Sequence, residues 1–224
     1  MKRIFIPPPN PVRVYCLHYK ALQKHRQLAG LPDLPPPAPA NNFTLLPDRL
    51  ALISWLPPGI GAEIGVATGE FSAQILETLQ PRELHLFDLW RGRKTVVAKE
   101  GGERGYQIVQ ERFAREIAAG TIHLHRGPSF ARVRALPNAF FDWVYLDACR
   151  HYPAMAKDLR SVARKIKPGG YICGNDYTRW GNNGLVRYGV VEAVNEFCAT
   201  HGWKLACLTN EPHRHISYAL RKED

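Results

Sequence analysis

At 224 residues, 45% hydrophobic and 22% charged, the chain has room for one sizeable α/β domain plus a short extension. It carries a formal net charge of +10 and contains no run of about 18 apolar residues, which argues against a membrane-spanning helix. The five cysteines (Cys16, Cys149, Cys173, Cys198 and Cys207) form no Cys-x-x-Cys pair, which argues against structural zinc and for a reduced, cytoplasmic protein.

Residues 1–41 read as a proline-rich basic arm. Pro7-Pro8-Pro9 arrives too soon after Met1 for a secretory core, and a second proline cluster closes the segment at Pro35-Pro36-Pro37-Ala38-Pro39. Lys2, Arg3, Arg13, Lys20, Lys24 and Arg26 face only Asp33 there, and one short helix is expected around Cys16–Gln27. Such an arm is either a solvated extension or a nucleic-acid handle, and the solvated reading is preferred because no aromatic-basic RNA-binding motif accompanies it.

The globular domain is expected over residues 42–224. A lead-in helix over Leu45–Leu56 is stopped by Pro57-Pro58-Gly59. Strand-like apolar runs follow at 61–67, 83–88, 121–125, 140–147, 170–175, 203–208 and 215–220. Helical stretches fall near 70–79, 105–118, 129–135, 153–166 and 188–200. The alternation predicts a Rossmann-like, doubly wound, mostly parallel seven-stranded sheet with helices on both faces and an antiparallel last strand. Ligands in such sheets sit outside the carboxyl ends of the strands.

Those ends carry the informative residues. Gly61-Ala62-Glu63-Ile64-Gly65-Val66-Ala67-Thr68-Gly69 reads as a first strand turning sharply into a helix, and Asp88 ends the next strand about 20 residues past the turn, where a ribose-binding carboxylate belongs. The spacing Glu63-x-Gly65-x-x-x-Gly69 is not the Gly-x-Gly-x-x-Gly of a dinucleotide turn, and a carboxylate just before it suits a cationic ligand better than a pyrophosphate. S-adenosylmethionine, with its ammonium and sulfonium, fits that pattern. Asp147 and Asp176 end two later strands, although a lone Asp there is often only a helix cap.

Taken in order, Glu63–Gly69, Phe87-Asp88-Leu89-Trp90, Arg126-Gly127-Pro128-Ser129, Phe141–Ala148, Lys167–Tyr177 and Gly189–Phe197 resemble a class I S-adenosylmethionine-dependent methyltransferase of the macrocin O-methyltransferase-like group. The resemblance covers about residues 45–220. It implies that Glu63, Gly65, Val66, Ala67 and Gly69 frame the methionine end of the cofactor, and that Asp88 and Leu89 lie at the ribose. Ser129 would lie beside the adenine, with Pro128 standing where relatives often have Asp. Asp147 would face both cofactor and acceptor. In metal-dependent relatives, carboxylates equivalent to Asp147 and Asp176 hold a divalent cation such as Mg2+, here with Asn175 alongside. Two departures bear on this: Arg150 takes a usual histidine position with His151 following it, and Asn175 replaces the His or Asp expected before Asp176.

Methyl transfer to a hydroxyl needs in-line positioning and removal of a proton. His151 is the expected base, with Asp147 beside it; Arg150, Tyr152, Tyr177, Arg179 and Trp180 are expected at the acceptor, and the basic flanks Arg179 and Arg187 suggest an acidic or phosphorylated one. The leading expectation is therefore O-methylation of a small-molecule hydroxyl of sugar or natural-product type. The alternatives are a nucleic-acid or protein methyltransferase using the basic arm, a non-catalytic S-adenosylmethionine-binding protein, and a nicotinamide oxidoreductase, the last disfavoured by the glycine spacing. Neither a membrane partner nor an internal repeat is expected, and the oligomeric state stays open, a homodimer being among the options.

Overall fold

The computed structural model describes residues 34–91, 102–181, 186–211 and 216–222. The arm helix expected at Cys16–Gln27, nearly all of the basic arm and the loop residues Asn182–Gly184 lie outside them.

Eight strands form one sheet: β1 Pro39–Leu46, β2 Ile60–Ile64, β3 Glu83–Asp88, β4 Ile122–Arg126, β5 Phe141–Leu146, β6 Ile166–Gly174, β7 Trp203–Thr209 and β8 Tyr218–Lys222. Their order is β1-β7-β8-β6-β5-β2-β3-β4. Every neighbouring pair is parallel except those of β8, which runs antiparallel to both β6 and β7. Seven strands match the expected ones within a few residues. The eighth, β1, is new: it begins inside the stretch read as arm and takes Leu45 and Leu46, so the lead-in helix is shortened to α1 Arg49–Trp55. Asp48 sets that start, its Oδ1 accepting from the amides of Leu50 and Ala51 at 2.9 Å.

The remaining helices are α2 Glu70–Leu79, α3 Gly102–Arg112, α4 Ala114–Ala118, α5 Ser129–Arg134, α6 Tyr152–Ala163 and α7 Val190–His201. The single helix expected over 105–118 is split at Phe113, whose backbone leaves the helical region (φ −112°, ψ 26°). The buried Phe113 ring packs against Gly69, where an added Cβ would come within 2.7 Å of it, so the break serves the turn before α2.

The chain runs outward from β2 through β3 to β4, then returns to lay β5 on the other side of β2. That reversal opens a crevice above the carboxyl ends of β2 and β5, the usual ligand position in such sheets. One apolar cluster, including Ile64, Phe87, Val144, Leu159 and Phe197, lies beneath α5, α6 and α7; the other, including Leu52, Ile75, Val109 and Tyr145, lies beneath α1, α2 and α3. Each fully buried large apolar side chain contributes about 1.5–3 kcal/mol. At the opposite end of the sheet, Asp142 fixes the start of β2: its Oδ2 accepts from the Ile60 amide at 2.7 Å and from Lys167 Nζ at 2.8 Å.

On β3 and β4, three histidines share one face. His85 stacks between His123 (4.5 Å between ring centres) and His125 (5.1 Å), and its Nδ1 lies 2.9 Å from His125 Nε2. Burial, aided by neighbouring His123, pulls His85 down to about 4; burial, then His85, His123 and Arg132, does the same to His125. Both imidazoles are neutral at pH 7.

Candidate functional site

The strand tips are tied to one another by backbone. Gly65 N donates to Phe87 O at 2.8 Å, Asp147 N to Ile64 O at 2.8 Å, Gly127 N to Asp88 O at 2.9 Å and Asn175 N to Leu146 O at 3.2 Å. Gly65, Asp88, Asp147 and Asn175 are therefore held along one rim. Within the first turn, Gly65 has φ +100°, and a Cβ there would sit 2.5 Å from Asp147 O, so only glycine lets β2 approach β5 this closely. Ala67 (φ 53°) and Gly69 (φ 82°) are also left-handed, and Gly69 opens α2 with no side chain capping its amides. Such a helix end favours an anionic group.

Asp88 shapes this turn from the neighbouring strand. Its Oδ2 accepts from the amides of Val66 and Ala67, both at 2.9 Å, and its Oδ1 from Trp90 N at 2.8 Å. Trp90 is buried and its Nε1 donates to Ala67 O at 2.9 Å, closing the loop back on the turn. Leu89, between them, is exposed. A carboxylate offers about four acceptor positions, so Asp88 keeps one for a ligand.

Glu63 is buried beneath the turn, with Ser72 Oγ donating to its Oε2 at 2.5 Å. Burial pushes its carboxyl up to about 8; the Ser72 hydrogen bond opposes this, Asp147 adds to it, Arg49 opposes and Asp88 adds again. Asp147, half-buried at the tip of β5, is likewise raised to about 7 by burial and then by Asp176, against Arg150, Arg49 and a hydrogen bond from Asn175. Four carboxyls, Glu63, Asp88, Asp147 and Asp176, thus crowd one another around the crevice, an arrangement that a cation relieves. Arg49 was missed by sequence reasoning. It stands at the start of α1, 4.3 Å over the Phe71 ring, and nothing local in the sequence marks it.

The expected cation site differs. Asp176 is buried, with a left-handed backbone (φ 61°), and Arg150 Nε donates to its Oδ2. The Arg150 guanidinium also stands 5.4 Å from the Tyr188 ring centre. Although burial works against its charge, Asp176, Tyr188 and Asp147 hold the Arg150 pKa above its ordinary value. A fixed positive guanidinium thus occupies the Asp176 oxygen that a metal would need. Asp147, Asp176 and Asn175 as arranged do not fit Mg2+.

Several residues expected at the acceptor, and Ser129, expected beside the adenine, bond to the scaffold. Tyr152 OH donates to Glu196 Oε2 on α7, and burial, then that bond, raises the phenol to about 12. Tyr177 OH donates to Asn195 Oδ1 at 2.7 Å. Ser129 Oγ donates to Asp158 Oδ1 at 2.7 Å. Arg187 Nη2 donates to Glu192, with only 11% of the Arg187 side chain exposed, so it is largely unavailable to an acidic acceptor. Arg179 Nε stands 3.9 Å from Glu192 Oε1, and the Trp180 ring lies 5.5 Å from the Arg187 guanidinium and is 43% exposed. His151 caps α6 through its backbone, Met155 N donating to His151 O at 3.0 Å, and is exposed.

A doubly wound parallel sheet with a reversed β8 between β6 and β7, a glycine turn after β2 and an acidic residue ending β3 defines a class I S-adenosylmethionine-dependent methyltransferase. Residues 62–177 match the family model described as a methyltransferase domain, and the chain belongs to that family. No curated protein sequence is significantly similar to the chain. Among solved structures, an O-methyltransferase from Bacillus cereus in complex with SAH superposes with a TM-score of 0.55 at 16% identity, covering 98% of this chain and 94% of that one. A protein from Klebsiella pneumoniae provisionally assigned as an O-methyltransferase gives 0.54 at 18% identity, covering 99% and 93%. The 1,6-didemethyltoxoflavin-N1-methyltransferase of Burkholderia thailandensis, with 1,6-didemethyltoxoflavin and S-adenosylhomocysteine bound, gives 0.53 at 13%, covering 99% and 94%. At these identities the likeness is one of fold. No helix among the described residues is long and apolar enough to cross a membrane.

Proposed function

We propose that the protein transfers a methyl group from S-adenosylmethionine to a hydroxyl of a small molecule, with Asp147 as the proton acceptor. The observation that carries this reading is the placement of Asp147: it follows directly on β5, its backbone carbonyl packed against Gly65, and its carboxyl is poised at about 7. A general base works best with a pKa near the working pH. The bound cofactor supplies an electrophilic methyl on a sulfonium. The arriving ammonium and sulfonium draw Glu63 toward its ionised form, the uncapped amides of α2 receive the cofactor carboxylate, and the remaining acceptor position of Asp88 takes a ribose hydroxyl.

In this reading the Gly65–Gly69 turn positions the donor, Asp147 accepts the hydroxyl proton, and Arg150 holds Asp176 so that a single carboxylate rather than a pair faces the acceptor. His151 is a second candidate base from the exposed start of α6. Arg179 and Trp180 line the outer rim, where the acceptor enters. The finer assignment to the macrocin-like group rests on the ordered motifs alone.

Calorimetric titration of the full chain with S-adenosylmethionine, beside an Asp88→Ala variant and with NAD as control, tests the reading. Binding of S-adenosylmethionine is expected, weakened by about tenfold or more (1.4 kcal/mol) in the variant. Failure to bind it, or a preference for NAD, would overturn the proposal. With binding established, an acceptor screen should give methylation that survives chelation of divalent ions.

A further inference from the structure

Glu83, His85 and His123 meet on one face of the sheet at the amino-terminal end of β3 and β4, away from the strand tips that form the crevice. Glu83 and His85 are two apart on β3, and His85 is the register partner of His123 on β4, so all three point the same way. Their ligand atoms lie within 4.8 Å of one another. Glu83 Oε2 is 3.5 Å from His85 Nε2 and 3.6 Å from His123 Nε2. Those separations are too long for good hydrogen bonds, and both Nε2 atoms are buried without a hydrogen-bond partner. His85 is only 4% exposed, so its bare nitrogen is a costly feature unless something fills the gap.

A tetrahedral zinc with bonds of about 2.0–2.1 Å sets its ligand atoms roughly 3.3–3.4 Å apart. The two carboxylate–imidazole separations are close to that, and the third closes by rotation of His123, whose side chain is 40% exposed. We propose that Glu83 Oε2, His85 Nε2 and His123 Nε2 bind a zinc-like divalent transition metal with water in the fourth position, pinning edge strand β4 to β3. Two imidazoles and one carboxylate suit zinc better than magnesium or calcium, which take oxygen shells.

The surroundings fit. Ligation through His85 Nε2 needs the proton on Nδ1, and Nδ1 lies 2.9 Å from His125 Nε2, which accepts it and fixes the ring. Arg82 Nε stands 3.7 Å from the other Glu83 oxygen, Oε1, leaving Oε2 to the histidines. The partly exposed side chains of His123 and Glu83 leave ion and water a way in. The cysteine pattern argues against structural zinc, but this cluster uses no thiolate.

The test is a zinc titration of the full, chelator-stripped chain by calorimetry, with cobalt as a spectroscopic stand-in. One equivalent should bind, cobalt should give the intense visible bands of a four-coordinate site, and zinc should raise the melting temperature. His123→Ala and Glu83→Gln, both at partly exposed positions, should fold and lose the site. His125→Ala should weaken binding by roughly 10–100-fold as a supporting residue, and His201→Ala should leave it unchanged. Absence of saturable one-equivalent binding, or zinc binding to His123→Ala and Glu83→Gln as tight as to the parent chain, would overturn the proposal. None of these readouts depends on methyl transfer.

Discussion

Glu63 carries the clearest conflict between fold and function at the residue scale. Its ordinary value of 4.5 is raised to about 8 in the fold, so the neutral carboxyl is the form the folded chain prefers. That preference stabilises fully below 4.5 and is lost as pH climbs toward 8, where the buried charge must form. Glu63→Gln keeps the shape and stays neutral. It is expected to match the parent chain in thermal unfolding near pH 4.5 and to exceed it by about 2–4 kcal/mol at pH 8.5. The same substitution should weaken S-adenosylmethionine binding, since a cation gains from the ionised acid. Equal stability of the two chains at pH 8.5 would show that Glu63 is not held neutral. Asp147 behaves alike over a lower window, from 3.8 to about 7. Asp147→Asn should cut kcat by roughly 10²–10⁴ and remove any rise of rate through pH 7, while S-adenosylmethionine binding persists. A variant that retains the pH profile would shift the role of base to His151.

At the scale of elements, β2 depends on a missing side chain. A Cβ at Gly61 would fall 2.0 Å from Trp143 Cζ2, and Trp143, fully buried on β5, donates its Nε1 to Pro57 O at 3.1 Å and cannot move aside. Gly61→Ala should therefore cost about 1–3 kcal/mol, measured by denaturant unfolding, despite being a small and apolar change. Period, apolar runs and turn residues are enough to read β2 to β8 and most helices from the sequence, because glycines and prolines bound many of them, whereas the cap at Asp48 falls inside the stretch that reads as helix. β1 was not legible: Pro39, Asn41 and Asn42 look like linker, and the strand exists because β7 offers it an open edge, a fact of topology. The break at Phe113 was hidden for a similar reason, since its cause is the distant Gly69. Asp88 and Asp147 announce themselves at strand ends. Arg49 does not, and the partners of Tyr152, Tyr177 and Ser129 lie 18 to 44 positions away in sequence, beyond the reach of any local pattern.

Over the whole molecule, the sheet has two edges with different protections. At one, β4 is paired to β3 and flanked by α3 and α4, with the histidine cluster on the other face. At the other, β1 pairs in parallel with β7 through Thr44–Leu46, exposing Phe43 (39%) and Leu45 (62%) while Leu46 packs toward the core beneath α1. The register between Pro39 and Thr44 shifts, so the pairing is irregular, and irregular edges resist addition of further strands. Removing residues 1–46 would strip β7 of this cover and leave its amides and carbonyls facing water beside the fully buried Cys207. The truncated chain is expected to retain the crevice between β2 and β5, and hence its affinity for S-adenosylmethionine, because none of the residues tied along that rim lies in β1. It should nevertheless melt earlier and self-associate through the bared edge, seen as a rise in scattering mass with concentration. A truncated chain that stays monodisperse with an unchanged melting temperature would mean that β7 ends the sheet adequately by itself, and that β1 serves some purpose other than closing the edge.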